Sequence, residues 1–201
     1  MMNSLFYKSY PEPEFDVKEI LRYAGCRETS AEVSALLSEC ISECAGKLCY
    51  KVCYAEYQIN IDGDAIDLGF TKVQSKDLAK NLGGCGKIVL FAATVGLAMD
   101  RLIARYSRIS PAKAHLFQAI GAERVESLCD VFNAEITARA KEAGGYTRPR
   151  FSPGYGDVPL SLQLDIFRAL DCERKLGVML NTSLLMFPSK SVTAIIGMGE
   201  K

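Results

Sequence analysis

Residues Arg148–Pro159 read RPRFSPGYGDVP, and this stretch decides the interpretation of the whole chain. Prolines fix φ and glycines permit positive φ, so three prolines and two glycines in twelve residues predict a stiff, shaped loop. From such a loop, Arg150 and Tyr155 would present a guanidinium fork and an aromatic face to one small ligand. A rigid connection between two helical regions is the alternative interpretation of the same residues.

A second motif, LNTSLLMFPSKSVTAIIG, occupies Leu180–Gly197. Together the two motifs resemble the activation domain of cobalamin-dependent methionine synthase, the module that binds S-adenosylmethionine. In that family an Arg-x-x-Pro-Gly-Tyr loop precedes a Met-x-Pro-x-x-Ser-Val segment and a strand. The residues that match these two family motifs are Arg150, Pro153, Gly154, Tyr155, Met186, Pro188, Ser191 and Val192.

The resemblance extends upstream to GAERVESLCDVF, at Gly121–Phe132, which is similar to a family helix that carries an acidic ligand-facing residue. That residue falls on Glu126. The implied fold is α+β, with an antiparallel sheet packed with several helices, in a single domain over residues 1–201. We expect residues 1–15 to form a loosely packed N-terminal segment.

S-adenosylmethionine offers an amino-acid zwitterion, a sulfonium cation and an adenosine. The resemblance implies that Arg150 binds the carboxylate, since its fork makes two parallel hydrogen bonds. Tyr155 would then pack against the adenine or face the sulfonium. Ser152 and Gly154 would let the ligand approach the main chain closely.

Glu126 is the expected partner of the ligand's positive groups. A solvated helix face, or an ion pair with Arg124 or Arg148, is the alternative for this carboxylate.

The resemblance implies a function in reactivation. In the family, the domain docks on a cobalamin-binding domain whose cofactor has oxidised to cob(II)alamin. An electron from flavodoxin or an equivalent donor is coupled to methyl transfer from S-adenosylmethionine, which regenerates methylcobalamin. The hypothesis is therefore an S-adenosylmethionine-binding module that acts in trans on methionine synthase or a related corrinoid methyltransferase.

Two alternatives remain open. A non-catalytic binding or assembly protein that kept the fold and lost the ligand is favoured by two departures from the family. The chain ends about ten residues after the Ser-Val motif, and it has no acid at Gly144, where the family has a second one. An independent methyltransferase is disfavoured, because the glycine-rich turn after a first strand is missing.

The composition is that of an ordinary globular protein of 201 residues, with 24 basic and 24 acidic side chains. This balance gives no indication of a nucleic-acid partner or an anionic membrane. No apolar run approaches the roughly 20 residues of a membrane span. The N-terminus lacks the pattern of a secretory signal, so we expect a cytoplasmic protein.

Eight cysteines and one histidine are the candidate metal ligands. Cys40 and Cys44 share a face of a predicted helix, and Cys49 and Cys53 share a face of a predicted strand. The paired x2 spacing of structural zinc sites is missing, so we interpret the cysteines as small buried apolar groups. His115 is interpreted as structural.

Periodicity and capping residues predict the remaining elements. The predicted helices are 16–24, one that begins after Ser30, 75–82, 97–106, one that runs from Ser110-Pro111 to Gly144, and 162–170. The predicted strands are 50–59, a hairpin around Asp62–Asp64, 87–93 and 191–196. Thr94 is predicted to cap the helix that begins near Leu97.

Overall fold

The computed structural model describes residues 4–26 and 30–200. Its helices are α1 (Val17–Tyr23), α2 (Ala31–Cys44), α3 (Lys76–Leu82), α4 (Ala98–Tyr106), α5 (Pro111–Glu142), α6 (Leu162–Leu170) and α7 (Cys172–Leu176). Its strands are β1 (Phe6–Ser9), β2 (Lys51–Gln58), β3 (Asn60–Asp62), β4 (Ala65–Asp67), β5 (Lys72–Gln74), β6 (Lys87–Thr94), β7 (Gly145–Thr147), β8 (Met179–Leu180), β9 (Met186–Phe187) and β10 (Ser191–Glu200).

The main sheet is antiparallel throughout, with strand order β1-β2-β6-β10-β7. Strand β6 lies at its centre and is buried along nearly its whole length, which explains the uninterrupted apolar sequence IVLFAA. Two smaller antiparallel sheets, β3-β4-β5 and β8-β9, flank it. The predicted α+β class with an antiparallel sheet is confirmed.

Helices cover both faces of the main sheet. Because side chains alternate along a strand, Phe91 of β6 points to the face covered by α5, where it contacts Phe132. Leu90 points to the other face, which packs against Ile166 of α6. A third apolar cluster joins the first half of α5 to α1, α2 and α4. Within the described ranges, no helix is both long and apolar enough to cross a membrane.

Most predicted helix starts are confirmed by their caps. The side chains of Asp16, Ser30 and Ser75 each accept a hydrogen bond from the first turn of α1, α2 and α3. Ser110 caps α5, whose first residue is Pro111, a position where a missing N–H costs nothing. Strand β10 is longer than predicted, because Met198–Glu200 pair with β7 as well.

Two local predictions are wrong. Thr94 does not cap α4 but ends β6, where its hydroxyl accepts hydrogen bonds from Ser191 Oγ (2.9 Å) and Gly96 N (3.1 Å). Helix α4 begins after Leu97 without a side-chain cap. Cys49 is exposed and precedes β2, so it does not share a strand face with the buried Cys53.

The N-terminal segment differs from the expected loose packing. Phe6–Ser9 form the edge strand β1, which pairs with β2 in register from Phe6↔Tyr54 to Ser9↔Lys51. Further on, the carbonyls of Pro13 and Glu14 accept hydrogen bonds of 2.6 Å from Arg124. Residues 1–3 of the expected segment lie outside the described residues.

Candidate functional site

The arginine–proline loop (residues 148–159) continues the edge of the main sheet. The amide of Arg148 donates to Gly197 O (2.8 Å), and Phe151 exchanges two hydrogen bonds with Ile195. These bonds fix the first four residues against β10. The interpretation of the loop as a stiff element is therefore consistent with its backbone contacts.

The tip of the loop is shaped by two glycines and anchored by two buried side chains. Pro153 and Val158 are buried, whereas Gly154 and Gly156 have φ of 88° and 54°. A Cβ atom at Gly156 would overlap the carboxylate of Asp77 on α3. Glycine is therefore required here both for its conformation and for close approach.

Asp157 fastens the loop to α3. Its carboxylate accepts hydrogen bonds from Ser75 Oγ, Lys76 N (2.8 Å) and Asp77 N (3.3 Å). The bond from Ser75, followed by those from the backbone, lowers the pKa of Asp157 despite the opposing effect of desolvation. Asp157 thus anchors the loop that carries Arg150 to the N-terminus of α3.

Arg150 is held between two carboxylates of α5. Nη2 donates to Glu126 Oε2 (2.6 Å) and Nη1 donates to Asp130 Oδ1 (2.5 Å). Burial alone would lower the pKa of Arg150, but the hydrogen bonds to these acids outweigh it and the net shift is upward. The proposed alternative partners of Glu126 are wrong: Arg124 pairs with Glu123, and Arg148 donates to Gly83 O.

A cavity of about 320 Å³, here called the Arg150 cavity, opens beside this ion pair. Its lining residues come from α5, the loop and β10: Glu126, Arg150, Phe151, Ser152, Tyr155 and Val192. The structure thus brings four of the five predicted site residues to one cavity. Gly154 is the exception, since it lies exposed at the loop tip. Tyr155 is 69% exposed, so one face of its ring is available to a ligand.

An acidic depression of about 270 Å³ adjoins Arg150 on its other side. Its acidic residues are Asp16, Glu19, Glu123, Glu126 and Asp130. Sequence reasoning missed Asp16, Glu19 and Asp130. Asp130 was detectable, because it lies four residues after Glu126 on the same helix face. The acids of α1 lie more than 100 residues away in sequence, and no local pattern indicates their position.

The other candidate ligands are dispersed. All eight cysteines are free thiols, and among residues 4–26 and 30–200 no group of three His, Cys, Asp or Glu side chains is arranged to hold a metal ion. His115 Nε2 lies 3.0 Å from Ala24 O, which ties α5 to the end of α1.

The protein is thus an antiparallel sheet covered by helices, with a charged arginine–proline loop at the edge of the sheet. The chain has the fold of the MetH reactivation domain: the crystal structure of that domain bound to AdoHcy superposes with a TM-score of 0.67 over 96% of this chain and 78% of that chain. Sequence identity is 14%, so the likeness establishes the fold. The chain matches no family model and no curated protein sequence. The fold implied by the sequence resemblance is confirmed.

Proposed function

We propose that the chain binds S-adenosylmethionine in the Arg150 cavity. The observation that carries this proposal is the coincidence of two independent facts. The chain has the fold of a domain that was crystallised with AdoHcy, and four of the five predicted site residues line one cavity of that fold. The cavity offers the three kinds of group that the ligand needs, namely a guanidinium, a carboxylate and an exposed aromatic ring.

Each group has a distinct role in this proposal. Arg150 binds the ligand carboxylate and Glu126 faces its ammonium or sulfonium group. Tyr155 packs against the adenosine, while Ser152 lies where the main chain meets the ligand. Asp16 and Glu19 lie in the adjoining depression, where Glu19 is paired with Arg22 and Asp16 caps α1.

We further propose that the bound ligand serves reductive remethylation of cobalamin carried by a separate protein. The partner is the cobalamin-binding domain of methionine synthase or a similar corrinoid protein, and the electron comes from a flavodoxin-like donor. S-adenosylmethionine supplies the methyl group, whereas this chain binds and orients it. The site contributes no acid or base to that chemistry. We place the protein in the cytoplasm, where such partners operate.

One observation supports the alternative of a non-catalytic binding protein. The guanidinium of Arg150 is already engaged by Glu126 and Asp130, so a ligand carboxylate must compete with both for it. If that displacement were too costly, the fold would persist without the ligand.

Calorimetric titration of the full chain with S-adenosylmethionine distinguishes these functions, performed with and without a cobalamin-loaded partner domain. We expect micromolar binding, and in the presence of an electron donor we expect the absorbance change of cob(II)alamin becoming methylcobalamin. Binding only with the partner would mean that the site is completed in trans. Absence of binding in both conditions would contradict the proposal and favour the non-catalytic alternative.

A further inference from the structure

A second cavity lies across the loop from the first. It measures about 540 Å³ and is here called the Arg148 cavity. It is lined by Asp77, Lys80, Asn81, Arg148, Pro149, Phe151, Tyr155 and Gly156. Phe151 and Tyr155 belong to both linings and so form a shared wall. The remaining residues come from α3, the start of the loop and, with Gly156, its tip, and none of them lines the Arg150 cavity.

The electrostatics of the Arg148 cavity are the reverse of those around Arg150. Arg148 makes no salt bridge with any described residue. Its Nη2 donates to the backbone carbonyl of Gly83 (2.8 Å), and its side chain also hydrogen-bonds the uncharged Cys85. Lys80 is exposed and likewise has no carboxylate partner in the described chain. Asp77 is the one acid of this lining, so the cavity carries a net positive charge. Unpaired cations at a cavity favour an anionic ligand group.

The other walls favour a flat ring. Phe151, Pro149 and the exposed ring of Tyr155 give an apolar surface suited to stacking. Arg148 lies with its guanidinium 5.2 Å from the ring centre of Tyr146, which holds it in place at the cavity. A ligand that combines a planar heterocycle with an anionic group would contact both kinds of wall.

Asn81 connects α3 to the start of the loop at this cavity. Its Nδ2 donates to Pro149 O (3.2 Å), which fixes the orientation of the amide, because the reverse orientation would place two acceptors together. Its Oδ1 is enclosed and has no hydrogen-bond partner among the described residues.

We propose that the Arg148 cavity is a second ligand site, which takes a heteroaromatic ring bearing a phosphate group, as in a nucleoside monophosphate. Lys80 and Arg148 bind the phosphate, and Tyr155 and Phe151 stack on the ring. This site is separate from the proposed S-adenosylmethionine site and meets it only at the shared aromatic wall.

The test is calorimetric titration of the full chain with AMP, adenosine and inorganic phosphate. We expect AMP to bind at least tenfold more tightly than adenosine or phosphate alone, since only AMP contacts both walls. Lys80→Gln and Arg148→Gln should each weaken AMP binding about five- to tenfold. Lys47→Gln is the control, because it removes an exposed lysine that lies outside the lining.

Lys80→Gln is the decisive variant. The Lys80 side chain makes no described hydrogen bond or salt bridge, so the variant should fold normally and any change should reflect AMP binding. No binding of AMP up to about 10 mM, equal binding of AMP and adenosine, or unchanged AMP binding by Lys80→Gln would each overturn the proposal. Competition of AMP with S-adenosylmethionine for one site would overturn it too. Failure of S-adenosylmethionine to bind, with Lys80-dependent AMP binding intact, would contradict only the proposed function.

Discussion

Two arginines form ion pairs with carboxylates of α5, and the surroundings of the two ion-pair clusters differ. Arg124 of α5 pairs with its neighbour Glu123, and both side chains are at most 2% exposed. Arg150 of the loop pairs with Glu126 and Asp130, which lie one and two turns further along α5, and remains 25% exposed. Both are arginine–carboxylate clusters, yet their surroundings indicate different roles.

The Arg124 cluster is closed. Its guanidinium also donates to the carbonyls of Pro13 and Glu14 and lies 3.9 Å from the ring centre of Phe15. Glu123 in turn accepts from Asp16 N and Ser127 Oγ. Every partner belongs to the protein, so this cluster fixes the N-terminal segment to α5.

The Arg150 cluster is open. Its Nε has no hydrogen-bond partner among the described residues, and Glu126 and Asp130 are 38% and 71% exposed. Exposed ion pairs contribute little to stability, so exchanging one carboxylate for that of a ligand costs little. The comparison teaches that pairing alone does not separate the two arginines, whereas the exposure of their carboxylate partners does.

The largest effect should come from breaking the closed cluster. Arg124→Ala leaves the Glu123 carboxylate buried and unpaired, and we expect a loss of about 3–5 kcal/mol in the free energy of unfolding. Urea denaturation followed by circular dichroism measures it. The double variant Glu123→Gln/Arg124→Met should recover part of the loss. A loss below about 1 kcal/mol for the single variant would refute the structural role.

The open cluster should respond in the opposite way. Arg150→Ala should weaken S-adenosylmethionine binding about 30- to 100-fold and change the unfolding free energy by less than about 1 kcal/mol. Arg150→Lys keeps the charge without the planar fork, so its affinity should be intermediate. Arg168→Ala, on an exposed arginine of α6, is the control in calorimetry. Equal affinities for all four proteins would remove Arg150 from the site.

The shape of the loop gives a smaller effect. Gly156→Ala introduces a Cβ at positive φ and against Asp77, which should cost about 1–3 kcal/mol in unfolding free energy. Gly63→Ala is a matched control, since Gly63 has a φ of 59° and no described atom within 4 Å of an added Cβ. The difference between the two losses reports the contact with Asp77. Identical losses would mean that the contact is unimportant.

The smallest effect concerns the fastening of the loop to α3. Folding lowers the pKa of Asp157 from its ordinary value of 3.8. The ionised carboxylate therefore stabilises the folded state above pH 3.8, and this stabilisation is lost as the pH falls through the lower pKa of the folded protein. Asp157→Asn should therefore be less stable than the wild type at neutral pH. The gap should narrow in acid below about pH 3.8, as measured by urea denaturation at several pH values. A pH-independent gap would contradict this assignment.

Local chemistry made much of the fold predictable. The caps at Asp16, Ser75 and Ser110 are short-range interactions, and the apolar sequence of β6 identified the central strand. The bounds of α6 followed from its amphipathic pattern. By contrast, β1 depends on pairing with β2, about 45 residues later, which no local pattern indicates.

The candidate site was predictable to the extent that its residues lie in motifs. Arg150, Ser152 and Tyr155 share one loop, and Glu126 lies on the helix that the resemblance identified. The closed Arg124 cluster and the acids of α1 were not predictable, because they arise where the N-terminal segment meets α5 across more than 100 residues. Such contacts are set by the packing of whole elements and leave no periodic signal.

The most direct test compares S-adenosylmethionine with its decarboxylated analogue, titrated calorimetrically into the wild type and Arg150→Ala. If Arg150 binds the ligand carboxylate, the wild type should prefer S-adenosylmethionine about 30-fold or more, and the variant should bind both ligands nearly equally. A preference that survives unchanged in Arg150→Ala would contradict the account, because the carboxylate would then be recognised elsewhere.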